Sequence, residues 1–247
     1  MNKTRILKNI GRRAYIIFQP STKTVSVNGI TATFDQSCFE DYIQLQRSLS
    51  EQRALIQLLD NLRDDDVFYD IGANLGMYTV FASKVISKGQ IVAFEPSKAA
   101  VRGLQRNLEL NDADAIIEQI ALSNDSGIET LNVPDIHGSA TIHSSPGGNL
   151  TEQEIQTKVG DKYIQTQALP TPTALKIDVE GHEGKVVRGL EKTFHHGNVR
   201  LLYCELHPSK SGEHTPEFIK SKLEGLGYEV SEVEQDSHQP IIRAEKP

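Results

Sequence analysis

Hydrophobic positions along the chain follow two alternating periods, one typical of helices and one typical of buried strands. Apolar residues between 55 and 62 recur at helical spacing and predict an amphipathic helix that ends near residues 64–66. From there on, short apolar runs alternate with helical patterns. The runs that predict strands are residues 67–71, 91–95, 115–121, 174–178, 200–205, 228–230 and 241–243. Strands that alternate with helices predict a doubly wound α/β fold, with a mostly parallel seven-stranded sheet covered on both faces.

Two segments depart from this alternation, and the first is at the N-terminus. Residues 1–48 combine scattered basic positions with two short alternating runs, 24–27 and 30–34, joined by Asn28-Gly29, which predict a β-hairpin. We therefore expect an N-terminal appendage of a basic helix and this hairpin, followed by a main domain over residues 49–247. The basic segment is interpreted either as a solvated helix end or as an amphipathic element on an anionic membrane or a lipid-linked substrate.

The second departure is an insertion at residues 123–172, which is rich in Gly, Pro, Ser and Asn. It is long and irregular, with short strands predicted only at residues 129–133 and 163–167. Long insertions of this kind in compact domains are usually functional or mobile. We therefore interpret the segment as a lid on the substrate side of the fold.

The composition is that of an ordinary globular protein, with a net charge of −7, 24% charged residues and 38% hydrophobic residues. This charge argues against a nucleic-acid partner, which needs clustered Lys and Arg. The two cysteines, Cys38 and Cys204, form neither a metal-type spacing nor a disulfide framework. No apolar run approaches the roughly 20 residues of a membrane helix. We expect a cytoplasmic protein, held at the inner face of the membrane if the basic segment binds lipid.

Three of the predicted strands end in an acidic residue, namely Asp70, Glu95 and Asp178. In doubly wound sheets, ligands bind beyond the carboxyl ends of the strands, near the point where the strand order reverses. We therefore expect the three acids at one ligand site. Glu95 precedes Pro96, and a carboxylate in its position can bind both hydroxyls of a ribose. The alternative interpretation of Glu95 is an exposed acid at a strand end.

The loop at residues 70–76 indicates what kind of ligand this is. Gly72 and Gly76 have G-x-x-x-G spacing instead of the G-x-G-x-x-G of dinucleotide sites, and no phosphate-binding lysine follows. The carboxylate of Asp70 suits a cationic ligand without phosphate, and Gly72 would allow its close approach. The alternative is a tight strand-to-helix turn with Asn74 as the helix N-cap.

The motif at residues 176–183 gathers polar side chains at the end of the fourth core strand. Strand alternation puts Asp178 and Glu180 on one face, and His182 follows in the turn. Such side chains supply general bases or part of a cation site. Glu180 and Glu183 would also favour the dipole of the following helix, which is the structural alternative. We predict no dedicated metal site.

Four segments that carry these residues resemble the FkbM-type methyltransferases, namely residues 68–76, 92–97, 107–111 and 175–183. The resemblance spans residues 66–207. It implies the class I (Rossmann-like) methyltransferase fold, S-adenosylmethionine as the methyl donor, and commonly a sugar or natural-product hydroxyl as the acceptor.

The resemblance also implies which residues bind S-adenosylmethionine. These are Asp70, Gly72, Ala73 and Asn74 at the methionine, with Gly76 in the same loop, Glu95 at the ribose and Ala121 near the adenine. The chain departs from the family pattern at residues 165–172. The family usually has a Thr-Leu-Asp-like segment before the fourth strand, and this chain lacks the acid of that segment.

Methyl transfer is an in-line displacement at carbon, for which the enzyme mainly aligns donor and acceptor. A sugar hydroxyl must lose its proton as the new bond forms. We therefore predict Asp178 or His182 as the base, with Glu180 orienting the acceptor or the base. A uronic-acid carboxylate of a surface glycan would need no base.

Two other classes of protein stay open: a nucleotide-dependent oxidoreductase and a non-catalytic glycan-binding module.

Overall fold

The computed structural model describes residues 20–50, 52–134, 150–196, 198–207, 215–234 and 240–246. The strands are β1 (Thr22–Val27), β2 (Ile30–Asp35), β3 (Val67–Ile71), β4 (Gln90–Phe94), β5 (Ile116–Glu118), β6 (Ala121–Ser123), β7 (Gly127–Pro134), β8 (Leu150–Val159), β9 (Ala174–Ile177), β10 (Leu201–Glu205), β11 (Glu229–Glu234) and β12 (Ile241–Glu245). The helices are α1 (Phe39–Ser50), α2 (Gln52–Asn61), α3 (Met77–Ser83), α4 (Lys98–Glu109), α5 (Gly160–Thr166), α6 (Glu183–Gly189), α7 (Glu191–His196) and α8 (Pro216–Gly225).

Seven strands form the main sheet, in the order β11-β12-β10-β9-β3-β4-β5. Adjacent strands from β10 to β5 run parallel, whereas β12 is antiparallel to both of its neighbours. The chain enters this sheet at β3, adds β4 and β5 on one side, and later adds β9 and β10 on the other. The strand order therefore reverses between β3 and β9, beside Asp70 and Asp178. The predicted doubly wound, mostly parallel seven-stranded sheet is confirmed.

Both faces of the main sheet are covered, and neighbouring strand residues point to opposite faces. Phe68 packs in one buried cluster with Phe81 and Leu104, whereas Tyr69 packs in a second cluster with Val187. Every residue of β9 and β10 is buried. Burial on both faces explains why these strands are almost continuously apolar in sequence.

The predicted hairpin is confirmed as β1 and β2, and its Asn28-Gly29 turn has positive φ at both residues, as a type I′ turn requires. Phe34 of β2 is 1% exposed and lies against Phe81 of α3, with ring centroids 5.9 Å apart. The backbone N–H of Asp35 donates to Asn107 Oδ1 on α4 at 2.7 Å. The hairpin is therefore part of the hydrophobic core that supports the main sheet.

The predicted division of the chain between residues 48 and 49 falls inside α1. The basic helix predicted near the N-terminus lies within residues 1–19, which are outside the described residues. The division into appendage and main domain stays a prediction. Within the described part of the chain, no helix combines the length and the apolar character needed to cross a lipid bilayer.

The segment at residues 123–172, predicted to be irregular, contains regular structure where it is described. Strands β6, β7 and β8 form a small sheet in the order β6-β8-β7. The strand predicted at residues 129–133 is confirmed within β7. The strand predicted at residues 163–167 is wrong, because this stretch belongs to α5, in which Gly160 and Ile164 lie one helical turn apart and are both buried. The lid role of the segment stays a prediction.

Two further element boundaries differ from the sequence prediction. The strand predicted at residues 115–121 divides after Glu118: β5 stays in the main sheet, and Ala121 begins β6 of the small sheet. The helix predicted through residues 186–194 is two helices, because Asp161 of α5 accepts hydrogen bonds from the backbone N–H groups of Lys192 and Thr193 and so fixes a new helix start.

We expect Phe34→Ala to lower the free energy of unfolding by about 3–5 kcal/mol, because it leaves a cavity in the core beneath the main sheet. Urea unfolding followed by circular dichroism measures this change. The matched control is Ile128→Ala on β7, where the side chain is 71% exposed and the expected change stays within about 0.5 kcal/mol. Equal, small effects of both substitutions would show that the hairpin does not contribute to the core.

Candidate active site

The loop after β3 folds back over the end of β4, at the carboxyl edge of the main sheet. The backbone N–H groups of Gly72 and Ala73 both donate to Phe94 O, at 2.9 and 3.1 Å. The N–H of Asn74 donates to Glu95 Oε2 at 2.9 Å. Asn74 has φ 50°, a left-handed conformation that asparagine tolerates better than most residues. The predicted cofactor loop and the predicted ribose acid are therefore in direct contact.

Gly72 is required at its position by the backbone of β9. It has φ 79°, and a Cβ built on it would lie 1.8 Å from the carbonyl oxygen of Asp178. The missing side chain thus lets the loop cross directly over the end of β9. The sequence suggested that Gly72 admits a ligand, whereas in the structure the group that approaches it is the protein's own main chain.

Asp70 lies beneath the loop and is fully buried. Its Oδ2 accepts hydrogen bonds from the backbone N–H and the hydroxyl of Thr79, at 3.0 and 2.6 Å. Its Oδ1 lies 3.5 Å from Lys176 Nζ. Asp70 therefore fixes α3 under the loop, and its contact with a ligand stays a prediction.

Glu95 lies at the end of β4 and is 7% exposed. Its Oε1 accepts the N–H of Ser97 at 2.8 Å, and its Oε2 accepts the N–H of Asn74. Burial raises the pKa of this carboxyl to about 7, although the two backbone N–H groups and the nearby Lys176 oppose the rise. Each oxygen accepts one of these bonds, and a carboxylate oxygen has room for a second donor such as a ribose hydroxyl.

The remaining predicted cofactor residues lie around the same loop. Gly76 has φ 82° and is the N-cap of α3, so the alternative in which Asn74 caps the helix is wrong. A Cβ on Gly76 would lie 2.3 Å from Leu104 Cδ1, so this glycine lets α3 pack against α4. Ala73 is buried in the first apolar cluster. Ala121 is buried in the small core of the second sheet, and its contact with an adenine stays a prediction.

The small sheet lies beside the Glu95 end of the site. Gln153 of β8 donates through Nε2 to Pro96 O at 3.0 Å and accepts the N–H of Lys98 through Oε1 at 3.3 Å. On the other side, Lys185 of α6 lies 3.4 Å from Glu129 of β7. The small sheet therefore contacts both the β4 and the β9 sides of the carboxyl edge.

A buried lysine connects the ends of β3 and β9 with the loop that follows β3. Lys176 Nζ lies 3.0 Å from Gly72 O, 3.5 Å from Asp70 Oδ1 and 3.2 Å from Asp178 Oδ2. It also lies 5.1 Å from the centre of the Tyr78 ring. Burial alone would lower the pKa of Lys176, but the surrounding carboxylates hold it above its usual range, so the lysine is charged.

Asp178 and Glu180 are the predicted catalytic acids that reach the surface. Their side chains are 27% and 26% exposed. The backbone N–H of Asp178 donates to Ile71 O at 3.0 Å, which fixes the end of β9 against β3. Glu180 has φ 53°, and Gly181 has φ 93°. This left-handed pair turns the chain from β9 into α6 and sets Glu180 beside His207.

The predicted base His182 does not share this exposed position. It is 1% exposed, it is the residue before α6, and its Nε2 lies 3.2 Å from Ser123 Oγ on β6. This contact joins α6 to the small sheet. The placement favours a structural role for His182 and leaves Asp178 as the better-placed base.

His207 occupies a pocket of carboxylates at the end of β10. Its Nδ1 lies 2.7 Å from Glu183 Oε1, and its Nε2 lies 3.3 Å from Glu180 Oε2 and 3.7 Å from Glu205 Oε1. Burial by itself would lower the pKa of His207, but Glu180 and Glu183 raise it to about 11. Glu183 is fully buried and also accepts the N–H of Gly181 at 2.9 Å.

Lys176, Glu183, Glu205 and His207 were not predicted as site residues, although the sequence carries a signal for two of them. A lysine inside an apolar strand, two positions before Asp178, shares a strand face with that acid. His207 likewise follows Glu205 by two positions at the end of the fifth core strand. The contact of Glu180, after β9, with His207, after β10, could be predicted only if the order of the strands in the sheet were known. The sequence does not give this order directly.

The part of the chain that carries this loop and these strand-end acids matches a family of known proteins. The family model described as the Methyltransferase FkbM domain matches residues 70–230, from the end of β3 into β11. The chain belongs to the FkbM methyltransferase family. Its fold is the class I methyltransferase fold, and the protein is a methyltransferase.

Two relatives and one solved structure illustrate the similarity. The methyltransferase is 28% identical to the hexuronic acid methyltransferase AglP of Haloferax volcanii, over 76% of this chain and 75% of that one. It is 26% identical to the 31-O-demethyl-FK506 methyltransferase FkbM of Streptomyces tacrolimicus, over 66% of this chain and 74% of that one. The crystal structure of methyltransferase FkbM from Methylobacillus flagellatus KT has a TM-score of 0.51 at 16% identity, covering 75% of this chain and 44% of that one.

The predicted FkbM resemblance is therefore confirmed. Membership of a methyltransferase family also speaks against the two other classes that the sequence left open, a nucleotide-dependent oxidoreductase and a non-catalytic binding module.

We expect Gly72→Ala to lower the free energy of unfolding more than Gly181→Ala does. Both glycines have positive φ, which costs alanine about 1–2 kcal/mol. Only at Gly72 would the new Cβ meet a backbone atom, whereas nothing lies within 4 Å of one at Gly181. The clash should add about 1–3 kcal/mol. Urea unfolding of both variants measures the difference, and equal losses would contradict the close approach of the loop to β9.

Proposed function

We propose that this methyltransferase uses S-adenosylmethionine to methylate a hydroxyl of a sugar-containing acceptor, in a glycan, a glycolipid or a natural product. The observation that carries the proposal is the placement of Asp178 and Glu180. Both carboxylates are partly exposed at the carboxyl edge, and the main chain of Asp178 contacts the loop beside Glu95 through Gly72.

The residues of the loop fit S-adenosylmethionine in charge and in hydrogen bonding. Glu95 is a buried carboxylate at a strand end with capacity for ribose hydroxyls. Asp70, Ala73 and Asn74 belong to a loop without phosphate-binding lysines, which suits a donor that carries a sulfonium and an ammonium group. Lys176 offsets the buried charge of Asp70 from below, so the loop keeps its shape when the donor is absent.

When bound, S-adenosylmethionine would supply an electrophilic methyl group for the acceptor oxygen, with the sulfur keeping the electron pair of the carbon–sulfur bond. Asp178 receives the proton of the acceptor hydroxyl, so that a methyl ether and a protonated carboxyl result. Lys176 holds one oxygen of Asp178 in place. Glu180, fixed by the left-handed turn, orients the acceptor.

A uronic-acid carboxylate is the second candidate acceptor, and the similarity to the hexuronic acid methyltransferase AglP favours it. A carboxylate would need no base. However, it would enter a region that already contains Asp178, Glu180 and Glu205, and like charges at short range repel where no cation lies between them. A neutral sugar hydroxyl avoids this cost, so we place it first.

The charge of the chain bears on its partners. The net charge of −7 favours a sugar-containing or small-molecule acceptor over nucleic acid. Contact with an anionic membrane surface through the basic residues near the N-terminus, and a cytoplasmic location, stay predictions.

For a hydroxyl acceptor, we expect Asp178→Asn to lower kcat by about a hundredfold or more, because the proton then lacks its acceptor. Binding of S-adenosylmethionine, measured by calorimetry, should change little. The control Asp64→Asn alters an exposed acid before β3, at the opposite edge of the sheet, and should keep the wild-type kcat. A near-normal rate in Asp178→Asn would refute the base and favour the carboxylate acceptor.

Binding of the ribose to Glu95 should depend on pH. Hydroxyl donors prefer the ionised carboxylate, so affinity should rise as pH increases through the pKa of about 7. Methylthioadenosine is the suitable probe, since it carries the ribose but lacks the α-amino and carboxyl groups of the methionine part. Calorimetry should show up to about tenfold tighter binding at pH 8 than at pH 6, and Glu95→Gln should bind weakly without this slope. The same slope in both proteins would remove Glu95 from the ribose site.

A further inference from the structure

Three side chains from two strand ends converge beside the acceptor side of the site. Asp178 and Glu180 follow β9, and His207 follows β10. One ligand-type atom from each, a carboxylate oxygen or an imidazole nitrogen, lies within 4.8 Å of the other two. Around one octahedral cation with bonds of about 2.1 Å, ligand atoms are about 3.0–4.2 Å apart. Modest rotations of the two partly exposed carboxylates would close the difference.

The imidazole of His207 is the feature that an acidic cluster alone would not show. The residue is 7% exposed, and its buried Nε2 forms no hydrogen bond of regular geometry within the described part of the chain, since its polar neighbours are carboxylates of the cluster itself. That nitrogen faces Glu180 at 3.3 Å and Glu205 at 3.7 Å. A buried ring nitrogen is thus directed into a set of oxygen ligands.

The other ring nitrogen is held as it is in metal-binding histidines. Nδ1 lies 2.7 Å from Oε1 of Glu183, a fully buried carboxylate that also accepts the N–H of Gly181. Metal-ligating histidines usually donate their second N–H to such a carboxylate, which fixes the ring orientation and makes the ligating nitrogen more basic. Glu183 would serve this purpose for His207.

We propose that Asp178, Glu180 and His207 bind one divalent cation, with Mg²⁺ or Mn²⁺ favoured because two of the three ligands are carboxylates. Three protein ligands leave positions for other oxygens of an octahedral ion, and the two carboxylates are about a quarter exposed. The role of the cation rests on the proposed function: it would hold an oxygen of the acceptor and make a bound hydroxyl more acidic.

The number of carboxylates around His207 favours a divalent cation, which carries more positive charge than a proton on the imidazole. Asp178, Glu180, Glu183 and Glu205 surround His207, and Lys176 Nζ lies 3.2 Å from an oxygen of Asp178. Lys176 lies next to Asp178 Oδ2, so the other oxygen of Asp178 would bind the cation through one lone pair and keep its second lone pair for the acceptor proton. A divalent ion would offset more of this carboxylate charge than Lys176 alone does.

The experiment titrates Mn²⁺ into the purified full chain and follows the loss of the free Mn²⁺ signal by electron paramagnetic resonance. We expect one tight Mn²⁺ per chain. Glu180→Gln and His207→Asn should each weaken it by more than about tenfold. The matched control is Glu191→Gln, which changes an exposed acid on α7 that pairs with Lys222 of α8, and this variant should bind Mn²⁺ like the wild type.

The Glu180→Gln variant keeps the experiment decisive if the buried His207→Asn variant fails to fold, since Glu180 is partly exposed. Absence of a tight Mn²⁺ in the wild type, or equal binding by wild type and Glu180→Gln, would overturn the cation site. Calorimetry with S-adenosylmethionine and a methyl-transfer assay with EDTA separate the two proposals. Methyl transfer at full rate in EDTA overturns the cation role and leaves the proposed function standing. Conversely, Mn²⁺ binding that depends on Glu180 and His207, in a protein that does not bind S-adenosylmethionine, supports the cation site and refutes the proposed function.

Discussion

The buried ammonium of Lys176 is the interaction on which the arrangement of the site depends. It lies between Asp70 at the end of β3, Asp178 at the end of β9 and the carbonyl of Gly72 in the loop. Removing one partner of a buried ion pair usually costs several kcal/mol, because the other charge is left without compensation. The donor loop and the acceptor acid therefore share one counter-ion, and neither can move far without disturbing the other.

A second charged group, around His207, organises the acceptor side in the same manner. There the carboxylates of Glu180, Glu183 and Glu205 enclose one imidazole. The two groups meet at Asp178 and Glu180, two residues apart in one turn. In these two groups, the acidic side chains outnumber the positively charged Lys176 and His207. The carboxyl edge of the sheet therefore favours ligands with positive charge or neutral hydroxyls over phosphates.

Much of the fold could be predicted because it depends on local periodicity. Strands β3, β4, β9 and β10 are buried on both faces, so their apolar runs stand out from the amphipathic helices between them. The segment around Tyr163 was misjudged because a short stretch with little apolar character has no clear period. Its helix is set by burial of Ile164, which is a property of the surrounding structure.

The sequence by itself determined the fold class, the family and the three strand-end acids, because strand alternation and loop spacing are local properties. Only the tertiary structure decided what these residues contact. It showed that the loop at Gly72 passes close to the backbone at the end of β9 and that Asp70 is buried beneath this loop. It also showed that His182 contacts Ser123 and that His207 lies beside Glu180. Each of these contacts joins residues distant in the chain, and their proximity follows from the order in which the strands pair, which no local pattern encodes.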